Sequence, residues 1–235
     1  MNKLKPLPEE WSGLLNNEQK EAIENIYGPL LIIAGAGSGK TRVLTYRYAH
    51  LIKTYGINFE NVLAITFTNK AANEMKDRIS DLLNLELSPK WISTFHSLCV
   101  KMLRIHGHLI GFNNNFTIYD QSDSTKLVRN CMRDSDIDTK QYSPKRIQAH
   151  ISSLKNQRIL PGEAVEFAQS FFDVKVAEIY SSYQKKLMLA NSMDFDDLLI
   201  KAVELLETSD KSLNYWSSKF QYIMIDEYQD TNMVQ

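Results

Sequence analysis

Eight consecutive residues carry the strongest chemical signal in this chain. Ala34-Gly35-Ala36-Gly37-Ser38-Gly39-Lys40-Thr41 follow the apolar run Leu30-Leu31-Ile32-Ile33 and open a helix-compatible segment. A buried strand ending in a glycine-rich turn aims successive backbone N–H groups at an anion, while a lysine reaches the β- and γ-phosphates and a hydroxyl coordinates Mg²⁺. The spacing follows G-x-x-x-x-G-K-[ST] except at its first position, Ala34, where a methyl group fits a strand end that needs no positive φ. The pattern predicts a cradle for ATP and Mg²⁺, with Arg42 counted in the same nucleotide-binding group.

Such a cradle needs a carboxylate on a neighbouring strand. Tyr222-Ile223-Met224-Ile225 lead straight into Asp226 and Glu227. Asp226 is expected to hold Mg²⁺ through its water shell, and Glu227, on the opposite side of the pleat, to orient or deprotonate the attacking water. Lys40, Asp226 and Glu227 are thus the expected catalytic set, and Thr41 and Asp226 the metal ligands. Upstream, Leu15-Asn16-Asn17-Glu18-Gln19 offers an Asn N-cap and a Gln amide able to pair with adenine; an N-capped surface helix accounts for the same residues.

The elements that must position these groups are short buried runs at Leu30 to Ala34, Val62 to Phe67, Trp91 to Phe95 and Tyr222 to Asp226, read as parallel strands. A helical pattern over Thr68 to Leu83 puts Ala71, Met75, Ile79 and Leu82 at helical spacing. Alternating strands and helices predict an α/β doubly wound domain with ligands at the carboxyl ends of its strands. From about Gly107 to Ala190 the alternation stops. Segments Ser124 to Arg133, Pro144 to Lys155, Glu163 to Phe172 and Val174 to Leu189 read as helices, so an inserted all-helical subdomain is expected over 107–190, between motor portions 1–106 and 191–235.

Charge is uneven although the net value is -1. Residues 191–235 carry nine acidic and three basic side chains, whereas Thr139 to Gly162 holds five Lys or Arg and no acid. That basic run is either a solvated helix face or a contact for a phosphate backbone. The near-zero net charge argues against a protein that coats nucleic acid by bulk electrostatics. Cys99 and Cys131 stand outside any zinc-ligand spacing and are expected to be buried, reduced thiols. Met1 to Leu15 lacks the pattern of a signal peptide and the longest apolar run is too short to span a bilayer, so a cytoplasmic protein without membrane contact is expected. Asp194, Asp196 and Asp197 are read as the cap of the helix carrying Leu198 and Leu199, not as a metal cluster.

Gln19 in LNxxQxxA, AGAGSGKT at 34–41, AITFTNKAA at 64–72, WISTFHS at 91–97 and DEYQDTN at 226–232 occur in order. Together they resemble the UvrD/Rep/PcrA-type superfamily 1 DNA helicases, with FTIYD at 116–120 and MDFDDLL at 193–199 extending the likeness through nearly the whole chain. The resemblance implies a RecA-like P-loop sheet, adenine read by Gln19, and Gln229 and Asp230 linking nucleotide state to DNA. It also implies a single-stranded DNA track along Thr66, Phe67, Thr68, Asn69 and Lys70, then Ser93, Thr94, Phe95 and His96. Hydroxyls, an amide and an ammonium suit phosphates, and aromatic rings suit stacked bases. Taken alone, a phenylalanine at a strand end is more often core than stacking platform, which applies to Phe67 and Phe95, and His96 alone reads more readily as a polar helix-start residue than as a ligand. Asn73 stands where many members of that family carry arginine.

The parent protein implied is a 3′-to-5′ translocase acting on single strands and single/double-strand junctions in repair or replication. Its later motifs, the transition-state arginines and the second motor domain lie beyond DEYQDTN, in cis or in trans. This C-terminally incomplete chain is therefore expected to bind ATP–Mg²⁺ weakly, to turn it over hardly at all, and to expose a sheet edge that favours association. The rival reading is a non-motor nucleotide- and DNA-binding regulator or half of a split motor. A P-loop small-molecule kinase accounts for Lys40 but for neither DEYQDTN nor TFTNKAA.

Overall fold

The computed structural model describes residues 4–85 and 89–235. Its regular elements are α1 (Glu9–Ser12), α2 (Asn17–Glu24), α3 (Lys40–Tyr55), β1 (Val62–Thr66), α4 (Asn69–Leu83), β2 (Ile92–Thr94), α5 (Phe95–His106), β3 (Thr117–Tyr119), α6 (Gln121–Asp134), α7 (Pro144–Asn156), α8 (Phe171–Leu189), β4 (Ser192–Asp194), α9 (Phe195–Thr208), α10 (Asp210–Lys219) and β5 (Tyr222–Ile225). Two compact units emerge, one of residues 1–95 and 214–230, the other of 96–213 and 231–235.

The first unit is built on a parallel sheet of order β2-β1-β5, with Thr66 opposite Thr94 and Ile65 opposite Ile225. Every residue of β1 is buried, as a central parallel strand covered on both faces requires. Tyr48 and Leu51 of α3 and Met75 and Ile79 of α4 pack with Val62, Ala64, Ile92 and Met224. A second cluster joins Leu7, Trp11, Leu15 and Ile23 to Val43, Tyr46 and Ala49 on α3. Arg47, buried on α3, donates to the carbonyls of Ala22 and Asn25 at the end of α2. A guanidinium there satisfies carbonyls that the helix leaves unpaired and meets the negative end of its dipole. α2, the helix bearing Gln19, is thereby fastened to α3, the helix bearing Lys40 and Thr41.

The sequence expectation fails at Leu30 to Ala34, which forms no strand. Leu31 is 68% and Ile33 91% exposed. An apolar run becomes a strand only when a neighbouring ladder takes up its backbone groups. Among the described residues β5 pairs with β1 alone, leaving Ile223 59% exposed on the sheet's edge. The other three expected strands form, one residue shorter at the ends of β1 and β5 and at each end of β2.

The second unit is mainly helical, with a short parallel pair, β3 beside β4. Val128, Met132, Ile147, Ile151, Ile179 and Leu187 lie in its core. Of Glu163 to Phe172, expected to be a helix, residues 163–167 are turns and only Phe171 and Phe172 are helical. Helix begins at Phe171, earlier than the expected Val174, because the Ser170 hydroxyl accepts from the Asp173 N–H and the Asp173 carboxylate accepts in return from Ser170 and from the Gln169 N–H. Asp194 caps α9 as expected, accepting from the Asp197 N–H at 2.8 Å. Cys99 and Cys131 are buried free thiols. No helix among the described residues is long and apolar enough to cross a membrane.

Candidate nucleotide and nucleic-acid sites

In the first unit the glycine-rich turn runs from Gly35 into α3, with Gly37 at φ +75° and Gly39 at φ +90°, a backbone region in which side chains are strained. A Cβ on Gly39 would stand 2.9 Å from Gln19 Nε2, a flexible side-chain end that could shift, so it is the backbone conformation that calls for glycine. Ser38 N–H and Ser38 Oγ both donate to the Gly35 carbonyl, which closes the turn. The Lys40 ammonium donates to the carbonyls of Ala34 and Gly35 at 3.1 and 3.2 Å. Ala34 to Ser38 are exposed, and Arg42 is exposed with its guanidinium over the Tyr46 ring.

Gln19 does two local jobs. It completes a capping box with Asn16, whose side chain accepts from the Gln19 N–H at 2.8 Å. Its Nε2 donates to the Ser38 carbonyl at 3.0 Å, tying the end of the turn to α2. The Asn16 N-cap that the sequence suggested is present, and the Gln19 amide lies against the glycine-rich turn.

Thr41 and Asp226, 185 positions apart, meet: Thr41 Oγ1 donates to Asp226 Oδ2 at 3.2 Å. Asp226 is placed by its N–H donating to the Ile65 carbonyl at 2.9 Å, which continues the β1–β5 ladder by one bond past the strand. Thr41 is placed by the first turn of α3. A hydroxyl and a carboxylate at this separation form the hard oxygen pair that suits Mg²⁺. Glu227 does not continue the pleat as expected: it takes φ +51°, is exposed, and its Oε2 accepts from Gln229 Nε2 at 2.6 Å. The strand has ended, so residue alternation no longer decides where its carboxylate lies. Asp230 N–H donates to the Glu227 carbonyl.

The carboxyl ends of β1 and β2 bring Thr66 and Thr94 side by side in this same unit. Thr68, Asn69 and Lys70 are exposed, Phe67 is half-buried, and Thr66, Ser93, Thr94 and Phe95 are buried. Thr68 caps α4 through its hydroxyl, and Thr66 Oγ1 donates to the Thr68 carbonyl. Phe67 and Phe95 meet edge to face with centroids 6.1 Å apart, which uses part of each ring for packing. His96 belongs to the second unit, edge-on to Phe195; burial lowers its pKa, with Asp196 acting in the opposite sense.

Sequence reasoning missed a buried ionic knot in the second unit. Lys155 is 1% exposed, and its ammonium lies 2.7 Å from Asp194 Oδ2 and 2.8 Å from Asp197 Oδ1. Tyr183 donates its hydroxyl to Asp194 and Gln184 its amide to Asp197. Burial opposes the Lys155 charge, yet the two carboxylates outweigh it and hold its pKa above the ordinary value. The available signal was spacing: Ile147, Ile151 and Lys155 recur every four residues, along the face of α7 that enters the core. Among the described residues no group of three or more His, Cys, Asp or Glu could hold a metal ion.

A family model described as the UvrD/REP helicase N-terminal domain matches residues 15–235. Proteins named ATP-dependent DNA helicase PcrA, from Staphylococcus aureus and Staphylococcus epidermidis, are each 46% identical to this chain over 221 residues, covering 94% of it. The chain spans 30% of the length of these curated relatives.

Proposed function

The chain belongs to the UvrD/REP helicase N-terminal domain family, and from that premise we propose that it is the ATP-binding portion of an ATP-dependent DNA helicase. The observation carrying the reading is the meeting of Thr41 with Asp226, since no fold requirement asks a threonine on α3 and a carboxylate after β5 to share a hydrogen bond. Thr41 and Asp226 would hold Mg²⁺, which when bound supplies neutralising charge to the triphosphate. The Lys40 ammonium leaves the Ala34 and Gly35 carbonyls for the β- and γ-phosphates, exchanging two neutral acceptors for charged ones. N–H groups of the turn hold phosphate oxygens, Gln19 and Arg42 border the base, and Glu227 orients the attacking water.

The exposed Thr68, Asn69 and Lys70, with Phe67, Phe95 and the neighbouring polar residues, form the single-strand track, and junctions are the natural substrate. Residues 107–190 act as an inserted helical subdomain between motor portions 1–106 and 191–235. Translocation runs 3′ to 5′ in the cytoplasm, in repair or replication. The remaining motor half, in cis or in trans, would bring the transition-state arginines, a contribution worth about 10³ to 10⁵ in rate. Alone, the 235-residue chain binds nucleotide and DNA with little turnover.

Titration with fluorescent ATP and Mg²⁺ tests the site. Lys40→Ala is expected to weaken binding about 10- to 100-fold, the loss of a charge-assisted hydrogen bond of roughly 1.5–3 kcal/mol, and Asp226→Asn to abolish the Mg²⁺ dependence. Single-strand binding that falls with salt should persist in Lys40→Ala. Nucleotide binding indifferent to both substitutions would overturn the reading.

A further inference from the structure

Asn156, the last residue of α7, uses both ends of its amide within the second unit. Nδ2 donates to the Ser152 carbonyl at 2.8 Å and to Asp196 Oδ1 at 3.1 Å, while Oδ1 accepts from Asn232 Nδ2 at 3.1 Å. Chemistry fixes this orientation. A flipped amide would set its oxygen against a carbonyl and a carboxylate, three acceptors with no proton among them. The adjacent Lys155, sealed between Asp194 and Asp197, keeps the end of α7 from sliding.

Asn232 is equally committed. Its Oδ1 accepts from the N–H groups of Val234 and Gln235, both at 3.0 Å, and Gln235 Oε1 accepts from the Asn232 N–H at 3.2 Å, the reciprocal pattern of a capping box. Only the Nδ2 hydrogens remain to engage α7. Asn232 also stands six positions after Asp226, and the chain passes from the first unit into the second between Asp230 and Thr231. The intervening backbone is short and partly fixed by the Asp230 to Glu227 hydrogen bond. Only four residues separate Glu227 from Asn232, so the backbone itself is the route by which a shift of the Asp226–Glu227 turn would reach Asn232.

We propose that Asn156 is a positioning residue: by holding Asn232 it carries the nucleotide state of the Asp226–Glu227 turn into α7 and α9. The inference rests on the ATP-site reading above. Asn156 touches neither nucleotide nor metal; it acts through Asn232, and Asp196 at its other face passes the displacement to the first turn of α9.

Hydrogen exchange of the full 235-residue chain, with and without Mg²⁺ and a slowly hydrolysed ATP analogue, tests this. In the unaltered chain the nucleotide should change exchange in peptides covering α7 and α9. Asn156→Ala should keep nucleotide affinity within about twofold yet shrink that change at least threefold, about 0.7 kcal/mol of coupling by RT ln 3. Asn232→Ala should do the same, and the double substitution should add nothing. Asn156→Asp, nearly isosteric, places a carboxylate beside Asp196 and should resemble Asn156→Ala; it carries the test if the alanine variant unfolds. A merely structural Asn156 would lower the melting temperature while leaving the nucleotide response whole, and that result overturns the proposal. Nucleotide binding without any response in α7 or α9 also overturns it and leaves the ATP site standing, whereas a chain that binds no nucleotide sinks both.

Discussion

Lysine serves opposite ends in the two units. Lys40 rests half-exposed on two backbone carbonyls, whereas Lys155 lies sealed between two carboxylates. Neutral carbonyl dipoles hold an ammonium weakly enough for a phosphate to take it over; two full charges in a low-dielectric interior do not let go. Exposure and partner type, more than residue identity, thus separate a group poised to meet a ligand from one that fixes a fold.

The largest effect that would sharpen this contrast is Lys155→Ala. Leaving Asp194 and Asp197 buried without their partner should cost about 3–5 kcal/mol of stability in denaturant unfolding, while Lys40→Ala should change stability by less than about 0.5 kcal/mol. Equal losses at the two positions would break the comparison. A smaller effect is expected at the seam between α2 and the nucleotide turn: Asn16→Ala removes a cap and the partner that orients Gln19, costing about 1 kcal/mol by thermal melting and weakening nucleotide affinity alongside. Affinity unmoved by that change would separate Gln19 from the site.

The smallest effect concerns pH. His50, buried on α3 and edge-on to Tyr55, has its pKa lowered chiefly by burial; Glu24 and the Lys5 backbone pull upward, while the charges of Arg47 and Lys5 push further down. A histidine whose folded pKa is depressed favours folding fully above its unfolded value of about 6.5, and that contribution is lost as pH falls below it. The melting temperature should therefore drop between about pH 7.5 and 5.5, and His50→Phe should flatten that slope. An unchanged slope would remove His50 as its source.

Much of the first unit was legible because its signals are local. AGAGSGKT needs particular glycines, β1 is apolar from Val62 to Ile65, and Ile225-Asp226 marks the end of a strand. Leu30 to Ala34 reads just as apolar, yet whether it becomes a strand depends on a ladder partner that no run of residues announces by itself. The stretch 139–162 shows the same limit for charge. Lys140, Lys145, Arg146 and Arg158 are exposed, as a basic run suggests, but Lys155 turns inward on the apolar face of α7. Its partners Asp194 and Asp197 lie some forty residues away, so composition along the window could not reveal the pairing.

Glu227 holds a left-handed backbone that costs an L-residue roughly 1–2 kcal/mol and costs glycine almost nothing. Thermodynamic optimisation of this turn would install glycine and erase the carboxylate. A search for hardier variants of the protein that scored folding alone would thus drift toward silence at position 227, and only a screen that also asks for chemistry would keep the acid where it is.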